Sequence, residues 1–527
     1  MSSTAAVKLE REAMGQTLRE CPVCGSSHLE YKFVVDRAPV CSCDECGLLF
    51  LNPQLGTSTA SEPEAGPDSA MLGGIYEANA AERIERLMSY SGLGTGSLLI
   101  VGGDKYFPAA AKKAGFDVTA VGAREFESVS ERELPEPVDA CVLFCALERM
   151  NDPLEALGKI RRILKSEGAL MTISPTTDSR AARLFGTSWW EFNRANRFYF
   201  SVDTLQNLLI KAGFGDPLIE PDHSLVSLNY LRRRLAQSPR SMRRYRLLRG
   251  LASLSPVFRN RKFRLVHGRT RFFARPTRRS ATPVLSVIVP VYNERATVAE
   301  LLDQVLAKNI EGVEIETVVV ESNSTDGSRE IVRQYEDHPR VRVILEDRPR
   351  GKGFAVRTAL LASRGDVVLF QDADLEYDVN DYDALIAPIL RHKCNFVLGS
   401  RHTETNSAWK IRTFVDSPAL SAYFNFGHAL LLAMFNTVYS QKLTDPFTMF
   451  KVFRRECLYG LRWECDRFDF DNEIVIKFIR KGYKPVELPV NYVSRSIQEG
   501  KKVTLFLDPL RWIRALLKFR KSPLYER

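Results

Sequence analysis

No stretch of this sequence reads as a membrane-spanning helix, which needs about 20 predominantly apolar residues. The nearest approach, Ser417 to Gln441, is uncharged but carries Asn425, His428 and Asn436, and reads as a buried or interfacial helix. The opening residues, MSSTAAVKLEREAMG, hold no apolar segment of the kind a secretory signal needs. Cysteine is sparse outside one place. Of ten in all, five fall within residues 21–46, and Cys141, Cys145, Cys394, Cys457 and Cys465 are scattered among apolar neighbours. That distribution excludes a disulfide framework and fits a reducing compartment. Acidic residues are absent from Leu231 to Ser280, where Lys and Arg number 17; taken from the net +10, these leave the rest of the chain at −7. One segment thus carries the whole basic excess, and such a segment seeks anionic surfaces. Together these absences predict a cytoplasmic protein, peripheral at the inner face of the cell membrane.

What is present is ordinary globular composition, 45% apolar and 26% charged over 527 residues, enough for more than one domain. The expected parts are a cysteine-rich segment at 20–52, a Ser/Gly/Pro/Glu linker, an α/β domain at 76–230, a basic connector at 231–280, a second α/β domain at 284–504 and a basic amphipathic helix at 505–527. In the first α/β domain, short apolar runs (Ser97–Val101, Asp139–Phe144, Ala169–Ser174) alternate with helical patterns. In the second the runs are LSVIVPVY, EIETVVVE, VRVILED, DVVLFQD and FVLGS. Such runs suit parallel strands covered by helices on both faces.

Cys21-Pro-Val-Cys24-Gly and Cys43-Asp-Glu-Cys46-Gly are two C-x2-C pairs. Each resembles a zinc knuckle, and two knuckles complete a closed tetrahedral site for structural Zn2+. Cys41 is a spare.

The ribbon is followed by LLIVGGDKYFPAAAKKAGFDVTAVGA, then DACVLFCALERMNDPLEALGKIRRILKSEGALMTISP, then NRFYFSVDTLQNLLIKAGF. In order and spacing this resembles class I S-adenosylmethionine-dependent methyltransferases with an N-terminal zinc ribbon, over roughly residues 20–215. The resemblance implies a Rossmann-like fold. The binding chemistry departs from it. The turn after the first strand reads Gly102-Gly103-Asp104-Lys105-Tyr106, with bulky residues where small ones belong. The place of the ribose-binding carboxylate falls near Gly122, with no acid before Glu125. The expectation is a degenerate domain kept for structure or binding, with S-adenosylmethionine a doubtful cofactor.

The basic connector interleaves Arg with Leu, Phe and Tyr. Amphipathic helices on an anionic membrane, a solvated linker with a packed apolar face, and, least favoured, nucleic-acid binding all remain open. The C-terminal stripe Leu510, Trp512, Ile513, Leu516, Leu517 and Phe519 fits core packing or a membrane interface equally.

The most informative short motif is Phe370-Gln371-Asp372-Ala373-Asp374, where two carboxylates at a strand end can address one divalent cation that bridges donor phosphates. Leu285–Glu294 is an apolar strand ending in Pro290, Tyr292, Asn293 and Glu294, where open α/β sheets bind ligands. Arg348-Pro-Arg-Gly-Lys352-Gly and Gly399-Ser400-Arg401 add cations. Together, from about Leu285 to Lys501, these motifs resemble family 2 glycosyltransferases of the GT-A fold, of the dolichyl-phosphate mannosyltransferase type.

The resemblance implies an inverting enzyme that moves a sugar from a nucleotide-diphosphate donor to a polyprenyl phosphate or glycan acceptor. Pro290, Tyr292, Glu294 and Glu321 would hold the nucleoside. Lys352, Asp372 and Asp374, with Mg2+ or Mn2+, would hold the diphosphate. Arg401, Arg412, Arg495 and Lys501 would meet donor or acceptor phosphates. The family's second-strand motif is altered, with Glu321 and Ser322 in place of two aspartates, so the base is open. Asp445, Asp471 and Glu473 are the candidates for a general base. A lipid phosphate would need none, being largely anionic already. The alternatives are a protein that also transfers methyl groups and a noncatalytic scaffold that binds sugar nucleotides.

Overall fold

The computed structural model describes residues 16–54, 69–103, 105–129, 137–227, 262–277, 282–402, 418–494 and 507–525. It divides into two compact units, Met1–Arg278 and Arg279–Arg527.

The strands of the first unit are β1 (Leu29–Val35), β2 (Ala38–Cys43), β3 (Leu49–Leu51), β4 (Gly96–Gly102), β5 (Phe116–Val121), β6 (Val138–Phe144), β7 (Leu164–Pro175), β8 (Phe198–Tyr199), β9 (Phe214–Ser227) and β10 (Lys262–Pro276). The larger sheet runs β5-β4-β6-β7-β10-β9. Its first four strands are parallel, and β10 is antiparallel to both neighbours. Successive residues of β4 enter opposite cores, Leu99 and Val101 on one face and Leu98 and Ile100 on the other. A strand buried on both faces must read as an unbroken apolar run, and this one does.

Two expected boundaries move. The cysteine segment is not a separate domain: β3 pairs with β8, placing Leu49 opposite Tyr199 and Phe50 opposite Phe198. Val23, Leu48 and Phe50 share one core with Leu99, Leu143 and Phe198. The basic connector also loses its second half to the sheet. Residues 262–276 alternate with period two, so Phe272 and Ala274 enter one core and Phe273 the other. Three of their arginines, Arg269, Arg271 and Arg275, bond within the unit, while Arg264 is exposed. Arg271, 1% exposed, pairs with Asp222 at 2.8 Å and Glu82 at 2.9 Å. Arg269 pairs with Glu191, and Arg275 donates to the Glu167 carbonyl at 2.7 Å. Residues 228–261 lie outside the described residues.

The second unit is built on β11 (Val284–Val291), β12 (Glu314–Glu321), β13 (Val341–Leu345), β14 (Val367–Phe370), β15 (Phe396–Ser400), β16 (Lys451–Arg454) and β17 (Val486–Pro489). Their order is β13-β12-β11-β14-β16-β15-β17, with β16 antiparallel to β14 and β15. This is the mostly parallel, helix-covered sheet expected of the second α/β domain. Leu285, Val287, Val289 and Val291 of β11 pack into one core and Ile288 into the other. Each such side chain contributes roughly 1.5–3 kcal/mol on burial. β11 to β14 run in one direction, so their carboxyl ends share one edge of the sheet.

The C-terminal stripe belongs to this unit. Helix Leu507–Lys518 buries Ala515 and Leu516, with Phe519 just beyond, and Tyr439 donates to the Leu516 carbonyl at 2.6 Å. Trp512, Ile513, Leu516 and Phe519 of that stripe pack into the core, whereas Leu517 is 55% exposed. Helix Pro418–Tyr439 is different: Phe426 and Leu430 are 70% and 51% exposed. Among the described residues no helix is long and apolar enough to cross a membrane.

Candidate functional site

The turn after β14 is held from beneath. The Gln371 side chain accepts from Tyr382 Oη at 2.8 Å through Oε1, and its Nε2 donates to the Asp372 carbonyl at 3.0 Å. Asp374 Oδ1 accepts the Glu376 amide at 3.2 Å. From the turn after β11, Thr297 Oγ1 donates to the Ala373 carbonyl at 2.6 Å, which ties the two strand ends together.

Lys352 opens helix Lys352–Ala362, and its ammonium lies 2.6 Å from an Asp372 oxygen and 3.0 Å from Met449 Sδ. Burial alone would lower its pKa, but Asp372 and Asp471 outweigh burial and raise it, with a smaller push from Asp374. On the other side, Lys451 is fully buried in β16 and reaches Asp471 at 3.4 Å. Burial holds its pKa down, Asp471 restores part of that, and Lys352 repels it. Lys352, Asp372, Asp374, Lys451 and Asp471 thus form one cluster of opposed charges. Two carboxylates on a two-residue spacing supply the hard oxygen ligands that Mg2+ or Mn2+ takes. The lysines provide fixed positive charge beside them.

A second cluster adjoins it. Arg401 grips Asp445 through Nε at 2.8 Å, Nη2 at 2.7 Å and its own amide at 3.0 Å. Burial would raise the Asp445 carboxyl, but Arg401 overrides it and holds the pKa at about 2. The Asp445 amide is anchored on Glu487 at 2.6 Å. Tyr492 lies under the Arg401 guanidinium, 5.4 Å from it, and donates to Glu376 at 2.9 Å. Tyr377 Oη accepts the Met449 amide at 3.0 Å, linking the clusters.

The expected site residues therefore sort by what their side chains touch. Asp372, Asp374, Lys352 and Asp471 converge. Asp445 lies with Arg401, in a pairing that makes it a poor proton acceptor. Glu473 is fully buried, accepts the Glu464 and Cys465 amides, each at 2.8 Å, and pairs with Lys477 at 2.6 Å. Both of its oxygens fasten a turn. Glu321 closes β12. Its extra methylene lets the carboxylate fold back onto the Asn323 and Ser324 amides and Arg329, and it is wholly buried. Pro290, Tyr292 and Glu294 stand at the carboxyl end of β11, with Tyr292 38% exposed. Arg412, Arg495 and Lys501 lie outside the described residues. Sequence reasoning missed Lys451, Tyr377 and Tyr492. Only Lys451 left a signal, a lysine opening an otherwise apolar run.

In the first unit, the Sγ atoms of Cys21, Cys24, Cys43 and Cys46 all lie within 4.8 Å of one another. The pairs Cys21–Cys46 and Cys24–Cys43 are each 3.5 Å apart. A tetrahedral zinc with Zn–S of about 2.3 Å would set sulfurs about 3.8 Å apart, so the four thiols fit. Gly25 (φ 78°) and Gly47 (φ 75°) take left-handed turns and return their amides to the Cys21 and Cys43 carbonyls, each at 2.8 Å.

The described residues around the end of β4 are engaged with one another. Phe144 packs against Gly103, and the Arg83 guanidinium lies 4.9 Å over its ring. Tyr106 stacks on Tyr76 at 5.4 Å. At the ribose position Glu125 instead accepts the Gly122 amide at 3.3 Å, as a cap for its own helix.

Comparison with known proteins agrees with this division. The Glycosyl transferase family 2 model matches residues 286–459, and a Methyltransferase domain model matches residues 77–216. The chain is 28% identical over 236 residues to the dolichol-phosphate mannosyltransferase of Pyrococcus furiosus, covering 45% of this chain and 64% of that one. It is 26% identical to the dolichyl-phosphate beta-glucosyltransferase of Saccharomyces cerevisiae, covering 45% and 74%. The chain thus spans under two thirds of the first of these relatives, as it does of a Trichomonas vaginalis dolichyl-phosphate beta-glucosyltransferase, at 62%. The solved glucosyl-3-phosphoglycerate synthase of Mycobacterium tuberculosis aligns over 46% of this chain and 81% of its own, at 22% identity and a TM-score of 0.35. The second unit therefore carries a family 2 glycosyltransferase domain, and the first unit a methyltransferase-type domain fused to a four-cysteine ribbon.

Proposed function

We propose that the chain is a metal-dependent, inverting glycosyltransferase that moves a sugar from a nucleotide-diphosphate donor to a polyprenyl phosphate. The observation that carries this is the convergence of Asp372, Asp374, Lys352 and Asp471 at the carboxyl edge of the sheet. Asp372 and Asp374 would hold Mg2+ or Mn2+, which when bound neutralises charge on the donor diphosphate. Lys352 adds a fixed cation where the leaving diphosphate carries its charge. Tyr292 offers a partly exposed ring against which a nucleobase can stack.

The state of the carboxylates favours a phosphate acceptor over an alcohol. An alcohol needs a general base with a pKa near the working pH. Asp445 is held at about 2 by Arg401, and Glu473 is wholly engaged in the fold. Only Asp471 remains, and it faces Lys451. A phosphate monoester arrives largely ionised and requires no base. Arg401 and Lys451 then act as fixed positive charge for the acceptor, and Asp445 and Asp471 orient them. The names of the dolichyl-phosphate relatives point to the same acceptor class.

Zn2+ in the four-cysteine site is assigned a structural role, because four protein ligands leave no open position. Association with an anionic cytoplasmic membrane surface, through the exposed apolar face at Phe426 and Leu430, brings the domain to a lipid acceptor. The test is calorimetric titration of the full chain with a panel of nucleotide sugars, with and without Mn2+. Metal-dependent binding of at least one donor is expected; no binding to any of them would end the proposal.

A further inference from the structure

β11, β12 and β13 are parallel neighbours in strict register, with Val291 opposite Glu321 and Glu321 opposite Leu345. The ladder runs one residue beyond each strand: the Ser322 amide donates to Val291 at 2.9 Å and the Glu346 amide to Glu321 at 2.8 Å. Tyr292, Ser322 and Glu346 therefore stand in one row across the carboxyl edge. Residues level with one another in parallel strands point to the same face. The row presents an aromatic ring, a hydroxyl and a carboxylate in sequence.

Glu346 is the anomaly in that row. It is 7% exposed, and among the described residues no donor but the adjacent Ser322 hydroxyl acts on its carboxylate, which lacks a partner in full hydrogen-bond geometry. Burial raises its pKa, while the neighbouring Ser322 and Arg350 pull it back down. A desolvated acceptor left unmatched is costly, and native proteins keep few of them without a reason. Its neighbour Glu321 cannot serve as the reader, being spent on Asn323, Ser324 and Arg329.

We infer that Glu346 reads the donor's nucleobase and that the base is guanine. The inference rests on the glycosyltransferase reading above. An ionised carboxylate offers two acceptors side by side and no donor. The guanine edge formed by N1–H and the exocyclic 2-amino group presents two donors side by side, matching it. Uracil presents one N–H flanked by two carbonyl oxygens, so it satisfies one carboxylate oxygen and sets the other against a carbonyl. Adenine and cytosine each pair one amino donor with a ring-nitrogen acceptor. Tyr292, in the same row, supplies the stacking face, which tolerates any base and so leaves selection to Glu346.

The test is titration of the full chain with GDP, IDP, UDP, ADP and CDP in the presence of Mn2+. GDP should bind at least tenfold more tightly than UDP, ADP or CDP. IDP keeps N1–H but lacks the 2-amino group and should fall between GDP and UDP. Glu346→Gln places an amide donor against the guanine donors and should cost GDP at least tenfold while changing UDP less than twofold. UDP binding as tightly as GDP to the wild-type chain would overturn the inference and leave the donor site standing. So would a Glu346→Gln variant with unchanged GDP affinity. If no nucleoside diphosphate binds, this inference and the underlying function fall together. The wild-type IDP comparison needs no folded variant.

Discussion

Replacing Asp445 by Asn keeps the side chain's size and removes its charge, leaving Arg401 (side chain 8% exposed) without a counter-ion. The carboxylate is wholly buried and accepts three hydrogen bonds from Arg401. Breaking a buried pair from one side costs about 3–5 kcal/mol. For a unit of this size each kcal/mol moves the melting temperature by about 2–4 °C, so the second unit's transition should fall by roughly 6–20 °C. The pair also has a pH signature. Its folded pKa of about 2 lies below the ordinary 3.8, so its stabilisation is present above about pH 4 and is lost as pH falls through about 2. That loss amounts to about 2 kcal/mol in the wild type and should be missing from Asp445→Asn. Differential scanning calorimetry from pH 2 to 7 reads both effects. The double variant Arg401→Met with Asp445→Leu removes both charges and should recover most of the loss. A variant Asp445→Asn that melts within a degree of wild type, with an unchanged acid limb, would refute the reasoning.

Three further outcomes are expected. Elemental analysis should find one zinc per chain, and Cys43→Ser should lose it and lower the melting of the whole first unit, because the ribbon and the α/β sheet share a core; a change confined to the ribbon would contradict this. Glu473→Gln removes the nearer counter-charge of the buried Lys477, leaving Glu464 at 3.9 Å, and should cost about 3 kcal/mol, with the pH profile of turnover per folded molecule unchanged. Phe426→Ser with Leu430→Ser should weaken co-sedimentation with anionic liposomes without lowering the melting temperature, both side chains being exposed.

The strands were legible because nearly every central strand is buried on both faces and so must be an apolar run, as LSVIVPVY and DVVLFQD are. The four cysteines were legible because a C-x2-C-Gly knuckle is a local object. The fate of a carboxylate was not, because it depends on partners distant in sequence or on how far a side chain folds back. Glu473 is claimed by the turn at Glu464 and Cys465, and Asp445 by Arg401, 44 residues away. Glu321 looked like a substituted base reader, and one methylene turned it into a loop fastener. Arg269 and Arg271 read as part of a surface charge run because their acids, Glu82, Glu191, Glu220 and Asp222, lie far back in the chain. In that segment the apolar run Phe272-Phe273-Ala274, buried on both faces, was the signal for a strand, and the flanking arginines hid it.

The central claim is sugar transfer at the Asp372–Asp374 edge, and mass-spectrometric detection of a lipid-linked sugar tests it most directly. The full chain is incubated with each nucleotide sugar, a short-chain polyprenyl phosphate and Mg2+ or Mn2+. The account predicts a glycosylated lipid from at least one donor, abolished by chelation and lost in Asp374→Ala while the four-cysteine site keeps its zinc. No product from any donor, or full activity in Asp374→Ala, would contradict it.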